Sequence, residues 1–189
     1  GSINRPAGAS PGRHIVYETL LNENINNRNS TIARTYVEAK FLNHFTFTTN
    51  LGIDLSNVRN QTFQNKIVGD GVTSGGTAGL TSNEFRTISL NQLLNYNQTF
   101  GLSEVSVLVG HESQKNKDSY LSVLKRGQNL DGNIALDNFV TLGSITGDLR
   151  ELRREGYLSR FNYGYKGKYF LDLSYRRDAS SRFAPQSRW

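Results

Sequence analysis

The chain contains no cysteine, and it has no apolar run of the ~18 residues that a transmembrane helix needs. Without cysteine, disulfide cross-links and thiolate metal sites are excluded. The missing apolar run excludes a transmembrane helix, but an outer-membrane strand needs only ~9–11 alternating residues. The mean hydropathy of -0.52 and the 36% of hydrophobic residues suit strands with one polar face, so a membrane location stays open.

A tract of positive charge is also missing. The formal net charge of +6 and the pI near 9.7 would suit a nucleic-acid binder. The arginines near residue 150 are nevertheless mixed with acidic residues (Asp148, Arg150, Glu151, Arg153, Arg154 and Glu155). This mixture is typical of a solvated surface, and no nucleic-acid partner is expected.

Motifs for nucleotide and metal binding are incomplete. The segment Val68–Gly79 has the glycines of a phosphate-binding loop but lacks the terminal Gly-Lys-Ser/Thr, so a flexible outer loop is expected there. The histidines His14, His44 and His111 are too scattered for a zinc pattern. No metal and no cofactor are expected.

Catalytic groups have no recognisable arrangement either. Glycoside hydrolysis would need two converging carboxylates, and nothing in the sequence brings together any two of Asp54, Asp172 and Asp178. Ser180 and Ser181 have no recognisable His and Asp partners. No catalytic residue is predicted, and the chain is not expected to be an enzyme.

A β-hairpin is predicted near the end of the sequence. Before the turn Lys166–Lys168, aromatic residues recur at every second position except at Ser159, and after it aromatic and aliphatic residues recur with the same period. In this alternation Tyr157, Phe161, Tyr163 and Tyr165 share one side of the first strand. A soluble core could use such a face, but tyrosines combine an apolar ring with a polar hydroxyl and suit a membrane interface.

The same alternation predicts an all-β fold of about six strands in three antiparallel hairpins. The predicted strands are 31–42, 45–56, 84–98, 104–115, 152–165 and 169–179, after a loop-like segment 1–30. Long outer loops are predicted at about 57–83 and 116–151, and they alternate with short turns. This alternation is typical of outer-membrane barrels, so residues 31–189 are predicted to form part of one.

Each predicted strand has two different faces. The residues predicted to face lipid are Phe45, Phe47, Leu51, Ile53, Leu55, Val105, Val107, Val109, Phe161, Tyr165, Leu171, Leu173 and Tyr175. The residues predicted to face a lumen, where they would contact substrate or a plug, are Asn50, Asp54, Asn91, Asn95, Arg160, Asn162 and Asp172. The opposite polarity of these two sets is what an outer-membrane strand requires.

Three stretches resemble the barrel signature of SusC/RagA-type TonB-dependent outer-membrane transporters. They are Tyr-Leu-Ser-Arg-Phe-Asn-Tyr at 157–163, Gly-Lys-Tyr at 167–169 and Arg-Arg-Asp-Ala-Ser-Ser-Arg-Phe at 176–183. Weaker matches begin at Tyr36 and Leu94, so the resemblance covers nearly the whole sequence. The signature residues are Tyr157, Arg160, Asn162, Tyr163, Lys168, Tyr169, Arg176, Arg177, Asp178, Ser180, Ser181, Arg182 and Phe183. Because the family's chains are several times longer, the sequence resembles only a middle part of the barrel.

The resemblance implies a function for the longer protein. Such transporters lie in the outer membrane of Gram-negative bacteria and import a nutrient, glycan or peptide. Their implied partners are a SusD-like surface lipoprotein, the TonB machinery and outer-membrane lipid. The strand edges would pair with the remainder of the barrel. Two alternatives stay open from the sequence: a soluble, secreted β-sandwich that binds carbohydrate, and a small structural or adhesive outer-membrane barrel.

Overall fold

Six long strands form one antiparallel sheet in the computed structural model, which describes residues 14–188. The strands are β1 (Glu23–Phe41), β2 (Phe45–Gln64), β3 (Thr77–Phe100), β4 (Ser103–Gln128), β5 (Phe139–Tyr165) and β6 (Tyr169–Ser180), and they neighbour one another in chain order. The all-β prediction of about six strands in antiparallel hairpins is confirmed. A short helix, α1 (Ile15–Leu21), precedes the sheet. No helix in the described part of the chain is long and apolar enough to cross a membrane.

Tight turns join the strands within each hairpin. Leu42 and Asn43 both have positive φ, as do Lys166 and Gly167, and Gly101 has φ 59°. The turn between β5 and β6 is closed by the amide of Lys168, which donates to the carbonyl of Tyr165 over 3.0 Å. Positive φ values match the right-handed twist of the flanking strands, so these turns hold each hairpin in register.

The strands extend well beyond the predicted boundaries, and the long links are correspondingly shorter. β2 continues to Gln64 and β3 begins at Thr77, so the predicted loop 57–83 is reduced to residues 65–76. β4 continues to Gln128 and β5 begins at Phe139, which reduces the predicted loop 116–151 to residues 129–138. The hydrophobic alternation of these extensions is broken, because apolar residues occur on both of their faces, as Leu121 and Leu124 do in β4. The strands continue all the same, since the ladder needs only backbone groups.

The prediction of a loop-like segment 1–30 is wrong for its described part. Residues 15–21 are helical, and β1 begins at Glu23. The Asn-rich sequence after Glu23 resembles a loop, but here the side chains take part in pairing: the amide of Asn60 donates to Oδ1 of Asn24 over 2.9 Å. Residues 1–13 lie outside the described residues.

The chain divides into two compact units. The first contains residues up to Asn29, Ser56–Glu84 and Ser119–Leu149, and the second contains Ser30–Leu55, Phe85–Asp118 and the residues from Arg150 onward. All residues predicted to face lipid or a lumen belong to the second unit.

The first unit has a small apolar core beneath the link 129–138. Phe139 is fully buried, and its ring lies 6.3 Å from the ring of Phe63, centroid to centroid, at 68°. Ala78 completes the buried cluster, and Ile134 and Leu136 of the link pack against it. The link is therefore anchored to β2 and β3 by apolar contacts.

Two buried asparagines organise the long links. Oδ1 of Asn65 accepts from the amides of Ile67 and Val68, each over 2.8 Å. The side chain of Asn138 donates to the carbonyls of Leu130 and Asn133, each over 2.7 Å. The segment Val68–Gly79 was expected to be a flexible loop, but it forms a 3₁₀ helix at Gly69–Ser74 and then the first residues of β3. Side-chain amides thus replace the backbone pairing that a tight bend cannot provide.

Candidate lipid and lumen faces

The first candidate surface begins in the hairpin of β5 and β6. Phe161 lies directly opposite Leu173, and Tyr165 lies directly opposite Tyr169. Opposed residues of an antiparallel pair point to the same side of the sheet, as do residues two apart in one strand. The alternating aromatic and aliphatic residues of this hairpin therefore share one side, which we name the apolar face.

Side-chain contacts carry the apolar face across the other strands of the second unit. The His111 ring stacks on Tyr157 at 4.9 Å between centroids, and its Nδ1 lies 3.3 Å from Oε1 of Gln92. The Phe45 ring packs on Tyr96 at 4.9 Å. By the two-residue period of a strand, all residues predicted to face lipid lie on this side. They are Phe45, Phe47, Leu51, Ile53 and Leu55 in β2, Val105, Val107 and Val109 in β4, and Phe161, Tyr165, Leu171, Leu173 and Tyr175 in β5 and β6.

The apolar face is most exposed in β6, whereas most of its residues in β2, β4 and β5 are half-buried. Leu171, Leu173 and Tyr175 are 48%, 56% and 61% exposed. Contiguous apolar surface of this kind needs a covering partner or lipid, because its exposure to water is unfavourable. Tyr157 and Tyr165 are separated by roughly 27 Å of strand at ~3.4 Å per residue. Tyrosines at both ends of an apolar band are chemically suited to the two headgroup levels of a bilayer.

The opposite side of the second unit, which we name the polar face, holds all residues predicted to face a lumen. Asn162 lies directly opposite Asp172 in the register of β5 and β6. A Cβ built on Gly110 would lie 2.7 Å from Leu93 and 3.0 Å from Leu158, which places these three positions on one side of β3, β4 and β5. A Cβ on Gly52 would similarly meet Ser89. Residues an even number of positions away from these in the same strand lie on the same side. The predicted lumen residues therefore all lie on the polar face: Asn50, Asp54, Asn91, Asn95, Arg160, Asn162 and Asp172.

Two groups of charged residues on the polar face form ion pairs. Nη2 of Arg176 lies 2.7 Å from Oε2 of Glu112 and 2.9 Å from Oδ1 of Asp178. Gly156 lies beneath this cluster, and a Cβ there would lie 2.7 Å from Oδ1 of Asp178. The absence of a side chain at this position lets the guanidinium and both carboxylates converge. A second pair joins Arg34 to Asp54 over 2.7 Å.

Two grooves on the polar face are lined by some of the predicted lumen residues. The first, of about 540 Å³, is lined by Asn91, Glu112, Arg154, Arg176 and Asp178, among others. The second, of about 760 Å³, includes Asn162 and Asp172 in its lining. The other four predicted lumen residues, Asn50, Asp54, Asn95 and Arg160, line neither of these two grooves. The grooves present carboxylates, guanidinium groups and amides, which can hydrogen-bond a polar polymer or a polar protein surface.

The signature residues have mainly structural contacts. The amide of Ser181 donates to the carbonyl of Arg153 over 2.9 Å, and Oγ of Ser181 accepts from the amide of Arg153 over 3.0 Å. Oγ of Ser180 accepts from the amide of Arg182, and Phe183 lines the groove that contains Arg176. Arg177 lies opposite Tyr157 on the apolar face. The signature thus ends β6 and fixes that end on β5.

Sequence reasoning missed Glu112 and Arg34 as members of the polar-face clusters. Glu112 follows His111, and the two side chains were expected to point to opposite faces. The structure agrees, since His111 stacks on Tyr157 and Glu112 pairs with Arg176. The available signal was the two-residue period itself, which places Glu112 on the side of Gly110. In residues 14–188 no three His, Asp or Glu side chains converge as a metal site would require.

Comparisons with known proteins agree with this geometry. No protein-family model matches the chain. The chain is 26% identical over 182 residues to TonB-dependent receptor P3 of Formosa agariphila, a match that covers 90% of this chain and 17% of that protein. The matched proteins are described as a receptor and as a peptide transporter.

The fold matches solved structures of RagAB. The RagAB peptide transporter superposes with a TM-score of 0.84 at 19% identity, over 97% of this chain and 21% of that chain. The open-open state of the RagAB peptide importer gives 0.82 at 19% identity, over 100% and 21%. The chain thus spans about a fifth of the length of the relatives that it matches. It is a partial match to a TonB-dependent receptor and to RagA, and its six-stranded sheet has the fold of part of the RagA barrel.

Proposed function

We propose that this chain forms part of the wall of a TonB-dependent transporter in the outer membrane of a Gram-negative bacterium. The observation that carries the proposal is the contrast between the two sides of the second unit. One side presents exposed leucine, valine and tyrosine, and the other presents amides and paired charges. A barrel strand needs this division, because one face contacts lipid tails and the other contacts water.

The longer protein would import a peptide. The RagAB structures that the sheet matches are of a peptide transporter, and this likeness favours peptide over glycan as the cargo. The polar-face grooves supply charged and amide groups that could hydrogen-bond a peptide backbone. The partners in this proposal are a SusD-like surface lipoprotein and the TonB machinery. The lipoprotein would correspond to RagB, the partner of RagA.

The outer strands β1 and β6 would pair with the remainder of the barrel. Both are edge strands of the described sheet. Unpaired backbone groups cannot face lipid without a large cost, so a membrane location requires a strand on each edge. In this proposal the region from residue 31 onward is barrel wall, and the links 65–76 and 129–138 face the outside of the cell.

Site-specific labelling tests the assignment of the two faces, since the chain has no cysteine of its own. Leu173→Cys and Asp172→Cys are adjacent in β6 and lie on the apolar and polar faces. With an environment-sensitive fluorophore attached to the protein in its own membrane, we expect lipid-borne quenchers to quench the label at 173 severalfold more than the label at 172. A water-soluble quencher should show the reverse preference.

A second pair in β2, Leu51→Cys and Asn50→Cys, provides an independent repeat of the same contrast. Equal quenching at both members of each pair, or stronger lipid quenching at 172 and 50, would contradict the proposed wall. Each variant changes one side chain, so a difference that recurs between the two faces in both strands reports the surroundings of the label and not a rearranged sheet.

A further inference from the structure

A small pocket lies in the first unit beneath the link 129–138, and we name it the link pocket. Its volume is about 250 Å³, and its lining includes Arg59 and Gln61 of β2, Leu80 of β3 and residues 134–136 of the link. Pockets for drug-sized ligands measure ~300–1,000 Å³. The link pocket therefore suits an occupant about the size of a single amino acid.

Most of the lining is apolar. Leu80 is two residues from the buried Ala78 in β3, so both side chains point to the same side of the sheet. Ile134 and Leu136 line the link pocket and also pack against the buried core of the first unit. An apolar group that entered the link pocket would be removed from water by these side chains, which is favourable.

One wall of the link pocket is polar. Arg59 and Gln61 are four and two residues from Phe63 in β2, so their side chains share the side of that core residue. Within residues 14–188, neither side chain forms a hydrogen bond or an ion pair. A guanidinium and an amide thus stand beside the apolar lining with their donors unused.

No acidic residue lines the link pocket. Glu84 shares the side of Leu80 four residues along β3, and Asp137 follows Leu136 in the link, but in the described part of the chain neither carboxylate pairs with Arg59. Asp131 of the same link is already paired with Nζ of Lys66 over 2.7 Å. The positive charge of Arg59 therefore has no contacting carboxylate and favours an anion at this wall.

We propose that the link pocket binds a small carboxylate that carries a branched apolar body. This is the chemistry of an apolar amino acid at the C-terminus of a peptide, and also of a short fatty acid. The fork of donors of Arg59 fits the two carboxylate oxygens, and the apolar body lies against Leu80, Ile134 and Leu136. The site belongs to the first unit, so it does not depend on the assignment of the second unit to a barrel wall.

Ligand-observed NMR titrations of the full chain in dodecyl maltoside micelles test the site. We expect N-acetyl-leucine to bind more than tenfold tighter than N-acetyl-leucinamide, which lacks the charge, or N-acetylglycine, which lacks the apolar side chain. The uncharged 4-methylpentanamide and its acid, 4-methylpentanoate, repeat the comparison without the acetamide group. Binding of 4-methylpentanoate as tight as that of N-acetyl-leucine indicates a free acid, and tenfold weaker binding indicates a peptide end.

Arg59→Gln should weaken the binding of N-acetyl-leucine about tenfold, the usual effect of losing a charged hydrogen bond. The control Arg28→Gln removes the same charge from β1 of the first unit, at an exposed position that does not line the link pocket, and should change binding less than twofold. Equal losses in the two variants would overturn the proposal. So would binding of N-acetyl-leucinamide as tight as that of N-acetyl-leucine, or no binding of either acid.

Leu80→Ala tests where the apolar body lies. The change enlarges the link pocket, so the preference between N-acetyl-leucine and N-acetyl-phenylalanine should shift severalfold toward the larger side chain. General loosening of the fold would weaken both ligands alike. An unchanged preference would contradict the placement of the apolar body against Leu80.

Discussion

Arg176 and Arg177 are adjacent, yet their side chains lie on opposite sides of the sheet. Arg177 is directly opposite Tyr157 on the apolar face, whereas Arg176 contacts Glu112 and Asp178 on the polar face. The two adjacent arginines of the signature therefore contact different surroundings, because successive side chains of a strand point to opposite faces. The two-residue period of a strand accounts for this division, but the sequence could not identify Glu112 as the partner of Arg176, because that contact joins residues 64 apart in the chain.

A double-mutant cycle tests the Arg176 cluster. Arg176→Gln and Glu112→Gln should be less destabilising together than the sum of the two single changes, because each removes the same ion pair. The coupling should be small and should fall as salt is raised, since both side chains are exposed to solvent. Denaturant unfolding in detergent measures the free energies.

The matched cycle uses Arg177→Gln with Glu112→Gln. Because Arg177 lies on the other face, we expect no coupling between these two positions. Coupling of equal size in both cycles would mean that the Arg176–Glu112 contact is not specific.

At the scale of strands and links, sequence patterns predicted the turns better than the strand ends. The turn at Lys166–Lys168 was found at its predicted place, because Gly167 and the flanking aromatic alternation mark it. The end of β4 and the start of β5 were missed by more than ten residues, since apolar residues on both faces of these extensions break the alternating pattern. Whether these residues form strands depends on pairing with a neighbouring strand, and a single sequence does not reveal that pairing.

Asn138 gives a test of how the link 129–138 is held. Asn138→Ala would remove the acceptor for the amide of Leu130 and the donor to two carbonyls. Leu130 and Asn133 are exposed, so water can reach their backbone groups, and we expect a loss of about 1–2 kcal/mol in the free energy of unfolding from the lost hydrogen bonds. Chemical denaturation in detergent measures it.

The exposed Asn129 provides the control for the same link. Its side chain is outside the contacts made by Asn138, and Asn129→Ala should cost less than about 0.5 kcal/mol. If the two variants unfold alike, Asn138 does not organise the link.

At the scale of the whole molecule, the sheet has two outer strands and a large exposed apolar face. Among residues 14–188, β1 and β6 each have a neighbouring strand on one side only, and exposed leucines and tyrosines lie on one face of the second unit. The fold class and the sidedness followed from alternation and turns. The neighbours of β1 and β6 could not be predicted, because the alternation within an edge strand does not identify the strand that would pair with it.

Purification without detergent tests the whole-molecule interpretation. We expect the chain to associate or precipitate in plain buffer, since apolar surface and unpaired strand edges favour aggregation. Dodecyl maltoside above its micelle concentration should keep it dispersed with a β-type circular dichroism spectrum. Analytical ultracentrifugation in both conditions measures the difference. A monomeric, cooperatively unfolding species in plain buffer would favour the secreted β-sandwich instead.

The two kinds of connection in this sheet impose different limits on how its sequence can diverge. Each tight turn depends on a few residues with positive φ, so an inserted residue would shift the register of a whole hairpin and exchange its faces. In the link 129–138, a Cβ on Gly132 would meet nothing within 4 Å, whereas one on Gly71 in the other long link would lie 2.3 Å from the carbonyl of Asn65. Homologous chains are therefore expected to vary in length near Gly132 and to keep constant length at the turns and around Asn65.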